Sequence, residues 1–340
     1  MIKRGVVLGG GGLVGMGYLA GALQGLNDRG LDLASADLLV GTSAGSVIAS
    51  YLAAGWAQSD FYEYAHGRHS KARSTLKDQK DEIRELFVPL WRSNADRARR
   101  TAGSFFAVAA SRGYWRGGAK GRSPVGALRH TFPSGMYSTE RTRERLWEDL
   151  PSAWPRPGLF ICAADLYSGA RVVFGRDDAP EAPLPDAVLA STAIPGMFPP
   201  VRIGAKQYVD GGVVSATSLD LAVEEGCEAI LCVAPLGYRG EGEATLRDPG
   251  LWPAMLVRQF FARSLAREVK EARAKGVEVL VVRPWLSELK AQGSNSMRHY
   301  DRVAVSDAAR HGTTRFLDDN ADHPVARAFA KPKKRTRATG

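Results

Sequence analysis

Two short apolar runs near the start of the chain are each followed by a turn of small residues and then by a helical pattern. Residues 6–8 predict a strand that enters four consecutive glycines, and the small residues from 15 to 27 predict a helix. Residues 37–40 predict a second strand, and the Ala, Val and Ile residues from 44 to about 55 predict a second helix. Strand, tight turn and helix, repeated in this order, are typical of a parallel sheet covered by helices.

The pattern changes between residues 58 and 154. Charged residues become dense there, and the apolar ones recur at helical spacing, as in Ile83, Leu86, Phe87 and Leu90. Such spacing favours helices over strands. We therefore predict that residues 58–154 form an inserted helical cap.

Strand and helix patterns alternate again in the second half of the chain. Strands are predicted at residues 159–163, 171–174, 208–209, 229–233 and 277–282, and helices at 184–191, 254–275 and 301–317. Together these elements predict one domain over residues 1–320, a three-layer α/β/α fold with a mainly parallel central sheet and the helical cap. Residues 321–340 are predicted to form a basic, flexible tail.

The 340-residue chain carries a formal net charge of +10. The excess lies in the stretch from about 66 to 145 and in the tail, where Lys331, Lys333, Lys334, Arg335 and Arg337 have no acid among them. A basic surface attracts anionic lipid, nucleic acid or acidic proteins, and charge alone does not choose among them. The alternative is that these are solvated faces and a solvated tail that keep the protein soluble.

Cysteine usage and the N-terminal segment bear on the compartment. Cys162, Cys227 and Cys232 lie in or beside apolar segments without framework spacing, which favours buried free thiols in a reducing compartment. Residues 5–27 are uncharged and long enough to cross a bilayer. The glycine run at 9–12 opposes an isolated helix and breaks any signal peptide. We expect a cytoplasmic protein without a signal peptide or membrane span.

Residues 41–45, Gly-Thr-Ser-Ala-Gly, match the G-x-S-x-G nucleophile elbow and lie between a predicted strand and a predicted helix. The elbow lifts a serine off the sheet on a sharp turn, with the helix N-terminus under the negative charge that develops on the substrate. Gly41 and Gly45 let the backbone pass close by, which makes Ser43 the candidate nucleophile. The alternative is that Thr42 or Ser43 is only a helix N-cap.

The glycine loop admits two explanations. Gly10, Gly12 and Gly15 fit the dinucleotide fingerprint G-x-G-x-x-G. That fingerprint requires an acid about twenty residues later, at the end of the second strand, and this strand ends in Gly41 instead. If Ser43 is a nucleophile, the loop can turn N–H groups toward the carbonyl oxygen under attack, where one donor is worth about 10²–10³ in rate.

A third motif, Asp210-Gly211-Gly212, ends the strand predicted at residues 208–209. An aspartate there is expected at the same sheet edge as Ser43, and the two glycines leave room for substrate. Alone, Asp-Gly is more often a turn than a catalytic base.

The three motifs together resemble the patatin-like phospholipases. Residues 190–201, Ala-Ser-Thr-Ala-Ile-Pro-Gly-Met-Phe-Pro-Pro-Val, are similar to that family's segment before its catalytic aspartate, and residues 229–236 are similar to a family strand. The resemblance covers roughly residues 6–236, with the cap unassigned. It implies a patatin-like version of the predicted fold and an enzyme that hydrolyses a lipid or other acyl ester.

For the site, the resemblance implies a Ser–Asp dyad. Ser43 attacks, Asp210 accepts the proton, and Gly10, Gly11 and Gly12 supply the oxyanion hole. No metal or cofactor is implied. The chain departs from the family at two positions, where Val14 replaces the usual Arg or Lys and Tyr18 replaces a frequent His. Without the charge at position 14, only the backbone is expected to serve the oxyanion.

Alternatives remain open. A Ser-His-Asp triad would use a late histidine, for which His299, His311 and His323 are candidates by position. Acyl transfer to an acceptor other than water is compatible with the same site. A basic module that binds anionic membrane or nucleic acid is the non-enzymatic alternative, and we do not expect nucleic acid as a partner.

The predicted cap contains one aromatic and basic segment. Residues 105–110 are apolar, and Tyr114 and Trp115 lie between Arg112 and Arg116. Such a segment suits a peripheral contact with an anionic membrane, here the inner membrane surface. Packing at the seam between cap and core is the alternative.

Overall fold

A computed structural model describes residues 2–72, 87–113, 135–239, 252–293 and 301–331. The described chain contains an eight-stranded sheet. Its strands are β1 (Arg4–Leu8), β2 (Leu38–Thr42), β3 (Leu159–Asp165), β4 (Arg171–Phe174), β5 (Val201–Ile203), β6 (Lys206–Asp210), β7 (Ala229–Val233) and β8 (Glu278–Val282).

The sheet runs in the order β5-β6-β3-β2-β1-β7-β8, with β4 paired to β3. The pairs among β3, β2, β1, β7 and β8 are parallel. The pairs of β3 with β4 and β6, and of β5 with β6, are antiparallel. The mainly parallel sheet that the sequence predicts is therefore confirmed, with an antiparallel edge added to it.

Eleven α-helices lie in the described ranges. They are α1 (Gly12–Asp28), α2 (Ala44–Ala53), α3 (Gln58–Ala65), α4 (Asn94–Gly113), α5 (Glu140–Asp149), α6 (Leu184–Thr192), α7 (Leu219–Glu224), α8 (Trp252–Ala274), α9 (Leu286–Gln292), α10 (Arg302–Asp318) and α11 (Pro324–Ala328). The 3-10 turn Gly211–Val213 directly follows β6.

Two apolar cores on opposite faces of the sheet make the three layers. Val6 and Leu8 of β1 belong to the core that contains α1, α2, α6 and α10. Val7, between them, belongs to the core on the other face with α7 and α8. Successive strand residues point to opposite faces, so the continuous apolar runs that identify these strands are the runs expected of strands covered on both sides.

The described parts of the predicted cap contain helices α3, α4 and α5. Helix α3 does not stand apart from the core, because it packs against α1 and α10 and buries Phe61. Helix α5 packs against α6. The side chains of the aromatic and basic segment at residues 105–116 lie outside the described part of the chain, so its proposed membrane contact stays a prediction.

The predicted tail begins too early. Helix α11 lies inside residues 321–340, with Val325 and Phe329 fully buried. The Asp32 N–H donates to the Phe329 carbonyl, and the Lys331 N–H donates to the Gly30 carbonyl, at 2.8 Å each. These apolar residues anchor the chain as far as Lys331, and residues 332–340 lie outside the described part.

The remaining sequence expectations concern thiols and membrane spans. Cys162, Cys227 and Cys232 are buried and free, as predicted. Among the described residues, no helix combines the length and the apolarity that a bilayer-spanning segment needs.

Candidate active site

The parallel pairing of β1 with β2 brings the first two motifs together. Leu8 pairs with Gly41, so the glycine loop after β1 and the elbow after β2 leave the sheet side by side. A side chain at Gly10 would lie 3.1 Å from the Ser43 Cβ atom. The loop therefore passes directly over the candidate nucleophile, and only glycine leaves this space open.

Ser43 occupies a strained turn between β2 and α2. Its φ of 54° and ψ of −122° lie in a region that residues with a side chain rarely adopt. The Ser46 N–H, at 2.9 Å, and the Ser46 hydroxyl, at 2.6 Å, both donate to the Ser43 carbonyl and hold the turn. A Cβ atom at Gly45 would lie 1.9 Å from the Leu8 carbonyl oxygen, so this close approach requires glycine. Strain of this kind is common at functional sites.

Asp210 reaches Ser43 by strand register. Strand β6 is antiparallel to β3, and Asp210 pairs with Ala163, the residue after the one that pairs with Thr42. The Asp210 N–H donates to the Ala193 carbonyl at 2.9 Å. A Cβ atom at Gly211 would lie 2.4 Å from the Cys162 carbonyl oxygen, which explains the glycine after the aspartate.

The Asp210 carboxyl group is buried and hydrogen-bonded. Its Oδ1 accepts from the Gly212 N–H at 2.7 Å. Burial raises the pKa of Asp210 to about 6, and the neighbouring Ser43 hydroxyl and the Gly212 N–H both act to lower it. A carboxylate with this pKa is a better proton acceptor than an exposed aspartate and is still mostly ionised at pH 7.

One predicted oxyanion-hole donor is committed elsewhere. The Gly10 N–H donates to the Ala216 carbonyl at 2.8 Å, so the prediction of Gly10 as a donor to substrate is wrong for this arrangement. Gly11 and Gly12 are at the N-terminus of α1, where backbone N–H groups have no acceptor within the helix. The Gly15 N–H donates to the Gly11 carbonyl and closes the first turn.

Ser191 is a contact that the sequence analysis missed. Its hydroxyl accepts from the Ser43 N–H at 2.9 Å and donates to the Cys162 carbonyl at 2.7 Å. Ser191 is fully buried, so it ties the elbow to β3 through a bridge shielded from water. The segment at residues 190–201 gave the only sequence signal, its similarity to the family segment before Asp210.

The two residues that depart from the family pattern lie on α1 and face the apolar core. Val14 and Tyr18 are almost fully buried. Burial also raises the pKa of Tyr18, so its phenol stays neutral.

The four described histidines have partners other than Ser43 and Asp210. His66 contacts Asp307 and the Tyr62 carbonyl, and His311 contacts the Asp307 carbonyl. His323 accepts from the Val325 N–H, and His69 packs on Trp56. The triad candidate His299 lies outside the described residues, as does His130.

A cavity of about 260 Å³ opens beside Ser43. Its walls are mostly apolar and come from α1, α2, α3, α5, α6 and the segment after α6, with Met16, Val47, Ile48, Leu189, Ile194 and Phe198 among the lining side chains. An apolar cavity with a few convergent polar groups is the usual form of a small-molecule site. Within the described ranges, no cluster of three or more His, Cys, Asp or Glu side chains is placed to hold a metal ion.

The sequence profile described as patatin-like phospholipase matches residues 6–223. Because this match covers more than half of the chain, the protein belongs to the patatin-like phospholipase family. Membership in this family supports the conclusion that the protein is a lipid acyl hydrolase.

The solved structures to which this chain is similar include VipD from Legionella pneumophila, at 15% identity and a TM-score of 0.49, with 94% of this chain and 67% of that chain covered. The type III effector ExoU matches at 16% identity and a TM-score of 0.33, over 94% and 53% of the two chains. ExoU in its complex with SpcU from Pseudomonas aeruginosa matches at 18% and 0.39, over 94% and 52%. This chain thus spans about half the length of the ExoU chains, and the family assignment rests on the sequence profile.

Proposed function

We propose that this protein hydrolyses carboxylic esters of lipids, with Ser43 as nucleophile and Asp210 as the general base. The observation that carries the proposal is the buried Asp210 carboxyl group, which lies beside the Ser43 hydroxyl and has a pKa of about 6. A base within reach of the nucleophile, and a pKa of that base near the working pH, are the two requirements of the first step.

In that step the Ser43 oxygen attacks the ester carbonyl carbon, and the hydroxyl proton moves to Asp210. The tetrahedral intermediate collapses, the C–O bond of the leaving alcohol breaks, and the alcohol takes the proton from Asp210. Water then attacks the acyl-enzyme while Asp210 accepts a proton again, and the fatty acid leaves as Ser43 is protonated. The same sequence with another alcohol in place of water is acyl transfer, which the site also permits.

Backbone N–H groups stabilise the oxyanion in both halves of this reaction. Gly11 and Gly12 in the loop and Ala44 after the nucleophile are the proposed donors, since all three are at helix N-termini that flank Ser43. Each such donor is worth about 10²–10³ in rate when it is preorganised. The apolar cavity beside Ser43 takes the acyl chain.

The rate should depend on pH through Asp210. Because only the ionised carboxylate accepts the proton, we expect kcat/KM to fall about tenfold per pH unit below the Asp210 pKa of about 6 and to be level from pH 7 to 8. Initial rates on an uncharged soluble ester over this range measure it. A half-maximal point below pH 5 would show that Asp210 is not the titrating base.

A panel of defined lipids tests the proposed function. Purified protein is incubated with phospholipids, acylglycerols and simple esters, and released fatty acids and transferred acyl products are measured by mass spectrometry. Protein inactivated beforehand with a fluorophosphonate is the control. We expect fatty acid release that this pretreatment abolishes. Release that persists after pretreatment, or no product from any ester, would contradict the proposal.

A further inference from the structure

The cavity follows matching faces of two helices. Its lining residues on α1 are Gly12, Leu13, Met16, Gly17 and Ala20, and on α2 they are Ser43, Ala44, Val47, Ile48 and Tyr51. Both sets repeat every fourth residue, which is one face of a helix. At a rise of 1.5 Å per residue, the eight steps from Ser43 to Tyr51 span about 12 Å. The cavity is therefore a groove that starts at the nucleophile and runs along both helices.

Aromatic rings cluster at the Tyr51 end of this groove, the end farthest along α2 from Ser43. The Trp56 ring lies 4.7 Å from the Tyr51 ring, 5.1 Å from the Phe61 ring and 5.9 Å from the Tyr64 ring, measured between centroids. All four side chains line the cavity. The Tyr51 hydroxyl donates to Asp149 at 3.0 Å and fixes its ring. Ring packing and this hydrogen bond make the end wall a defined stop.

We propose that this groove selects acyl chains of about ten carbons, an inference that rests on the proposed function. Carbon–carbon bonds of about 1.5 Å advance an extended chain by roughly 1.25 Å per carbon, so a groove of about 12 Å holds about ten carbons. Each methylene that enters the groove leaves water, and longer chains meet the aromatic wall. Trp56 and Ala20, which line the far half of the groove, are the residues that set this length.

A series of soluble nitrophenyl esters, with chains from about four to about sixteen carbons and used below their aggregation limits, tests the proposal. We expect kcat/KM to rise up to about fourfold per methylene, reach a maximum near ten carbons, and fall for longer chains. A rate that keeps rising to the longest ester would overturn the proposal.

Two substitutions move the wall in opposite directions. Trp56→Ala opens the end and is expected to shift the optimum to longer chains, whereas Ala20→Leu fills the far half and shifts it to shorter chains. General loss of stability cannot produce opposite shifts, and an unchanged optimum in both variants would overturn the assignment. Ser43→Ala separates the two proposals, because residual hydrolysis by that variant contradicts the proposed function and not the chain-length limit.

A second inference rests on a different set of contacts, in the loop after Asp210. This loop runs from the 3-10 turn to α7, and its Ala216 carbonyl accepts the Gly10 N–H at 2.8 Å. Gly10 lies against Ser43, and the proposed donors Gly11 and Gly12 follow it directly. A shift of Ala216 is therefore passed to the glycine loop of residues 9–12, called the oxyanion loop below.

Glu268 of α8 accepts three hydrogen bonds from residues 215–219 of this loop and the start of α7. Its carboxylate accepts from the Ser215 hydroxyl at 2.6 Å, the Thr217 hydroxyl at 2.8 Å and the Leu219 N–H at 3.1 Å. Ser218, inside the same loop, has a φ of 55° and a ψ of 39°, a left-handed conformation that a serine adopts at some cost. Three donors on one carboxylate offset this cost and fix the loop on both sides of Ala216.

We infer that Glu268 is a positioning residue for the oxyanion loop of the proposed reaction. It acts through Ser215 and Thr217 on Ala216, and through the Ala216 carbonyl on Gly10. Helix α8 lies outside the residues matched by the family profile, so the hydrogen bonds of Glu268 come from the C-terminal part of the chain beyond that match.

The test is Glu268→Gln, with Glu271→Gln as its control on an exposed position of the same helix. Glutamine has one acceptor, and its NH₂ group faces Ser215 or Thr217, where Ser215 Oγ already accepts from the Ser218 N–H at 2.9 Å. We expect kcat to fall about tenfold to a hundredfold with KM changed less than about twofold, because the loss is in the transition state. The control variant should match the wild type.

Thermal unfolding and the rate of fluorophosphonate labelling at Ser43 accompany the kinetics. If Glu268→Gln fails to fold, Ser215→Ala removes one of the three contacts and is expected to lower kcat in the same direction by a smaller factor. An unchanged kcat, or a higher KM at constant kcat, in the folded variant would overturn the positioning role. Activity that survives in Ser43→Ala would instead contradict the proposed function.

Discussion

Replacing Asp210 by asparagine is expected to lower kcat by about 10³–10⁴-fold while the protein stays folded. Asparagine preserves the shape of the side chain, and its oxygen still accepts from the Gly212 N–H that bonds Asp210 Oδ1. It cannot accept a proton from Ser43 at any pH used for the assay. Steady-state rates with a soluble ester, together with a thermal melt, measure both parts of the expectation.

The same substitution should stabilise the protein at neutral pH. The pKa of Asp210 is about 6 in the folded protein, against an ordinary value of 3.8, so the folded state retains a proton that the unfolded chain has already lost between these pH values. Above pH 6 the buried carboxylate therefore costs about 2–3 kcal/mol of stability. This advantage of Asp210→Asn should disappear as the pH falls below about 4.

Histidine variants complete this test. If Asp210 acts without a histidine, separate alanine substitutions at residues 66, 69, 130, 299, 311 and 323 should each leave most of the activity. Among the described histidines, His69 packs on Trp56 of the cavity wall and His66 directly follows the lining residue Ala65, so these two are the most informative controls. A folded histidine variant as inactive as Asp210→Asn would convert the dyad into a triad.

Replacing Ser43 by alanine is expected to remove at least about 10³-fold of the activity, because no covalent intermediate forms without the hydroxyl. Alanine fits the same strained turn, which is held by Ser46 and Ser191 through the backbone of residue 43. Ser50→Ala is the matched control, since Ser50 is a buried serine of the same helix whose hydroxyl bonds only the Ser46 carbonyl in the contacts described. It should retain activity within about threefold.

Much of the fold follows from apolar runs and glycines. Strands β4 and β7 lie at their predicted residues; β1 begins two residues before its predicted start, and the ends of β2 are shifted by one and two residues. The strong signal comes from strands buried on both faces, which contain little but apolar residues. The short strand β5 and the short helices α7, α9 and α11 have three to seven residues each, too few for a periodic pattern to identify.

Only part of the candidate site can be predicted from local sequence patterns. The elbow at Ser43 is a local structure, so its five residues predict it. Asp210 reaches Ser43 through antiparallel register with β3, which no feature of Asp-Gly-Gly encodes. The Gly10 N–H bonds the Ala216 carbonyl, and Glu268 bonds the loop after Asp210. Most of these hydrogen bonds join residues more than fifty positions apart, so only the folded chain reveals them.

The most direct measurement of the central claim is the site of covalent labelling. The protein is treated with a fluorophosphonate, digested, and mapped by mass spectrometry, with Asp210→Asn and Ser43→Ala in parallel. We expect one adduct, on Ser43, that forms much more slowly in Asp210→Asn and is absent in Ser43→Ala. An adduct on another serine, or labelling of Ser43 at an unchanged rate without the Asp210 carboxylate, would contradict the Ser43–Asp210 dyad.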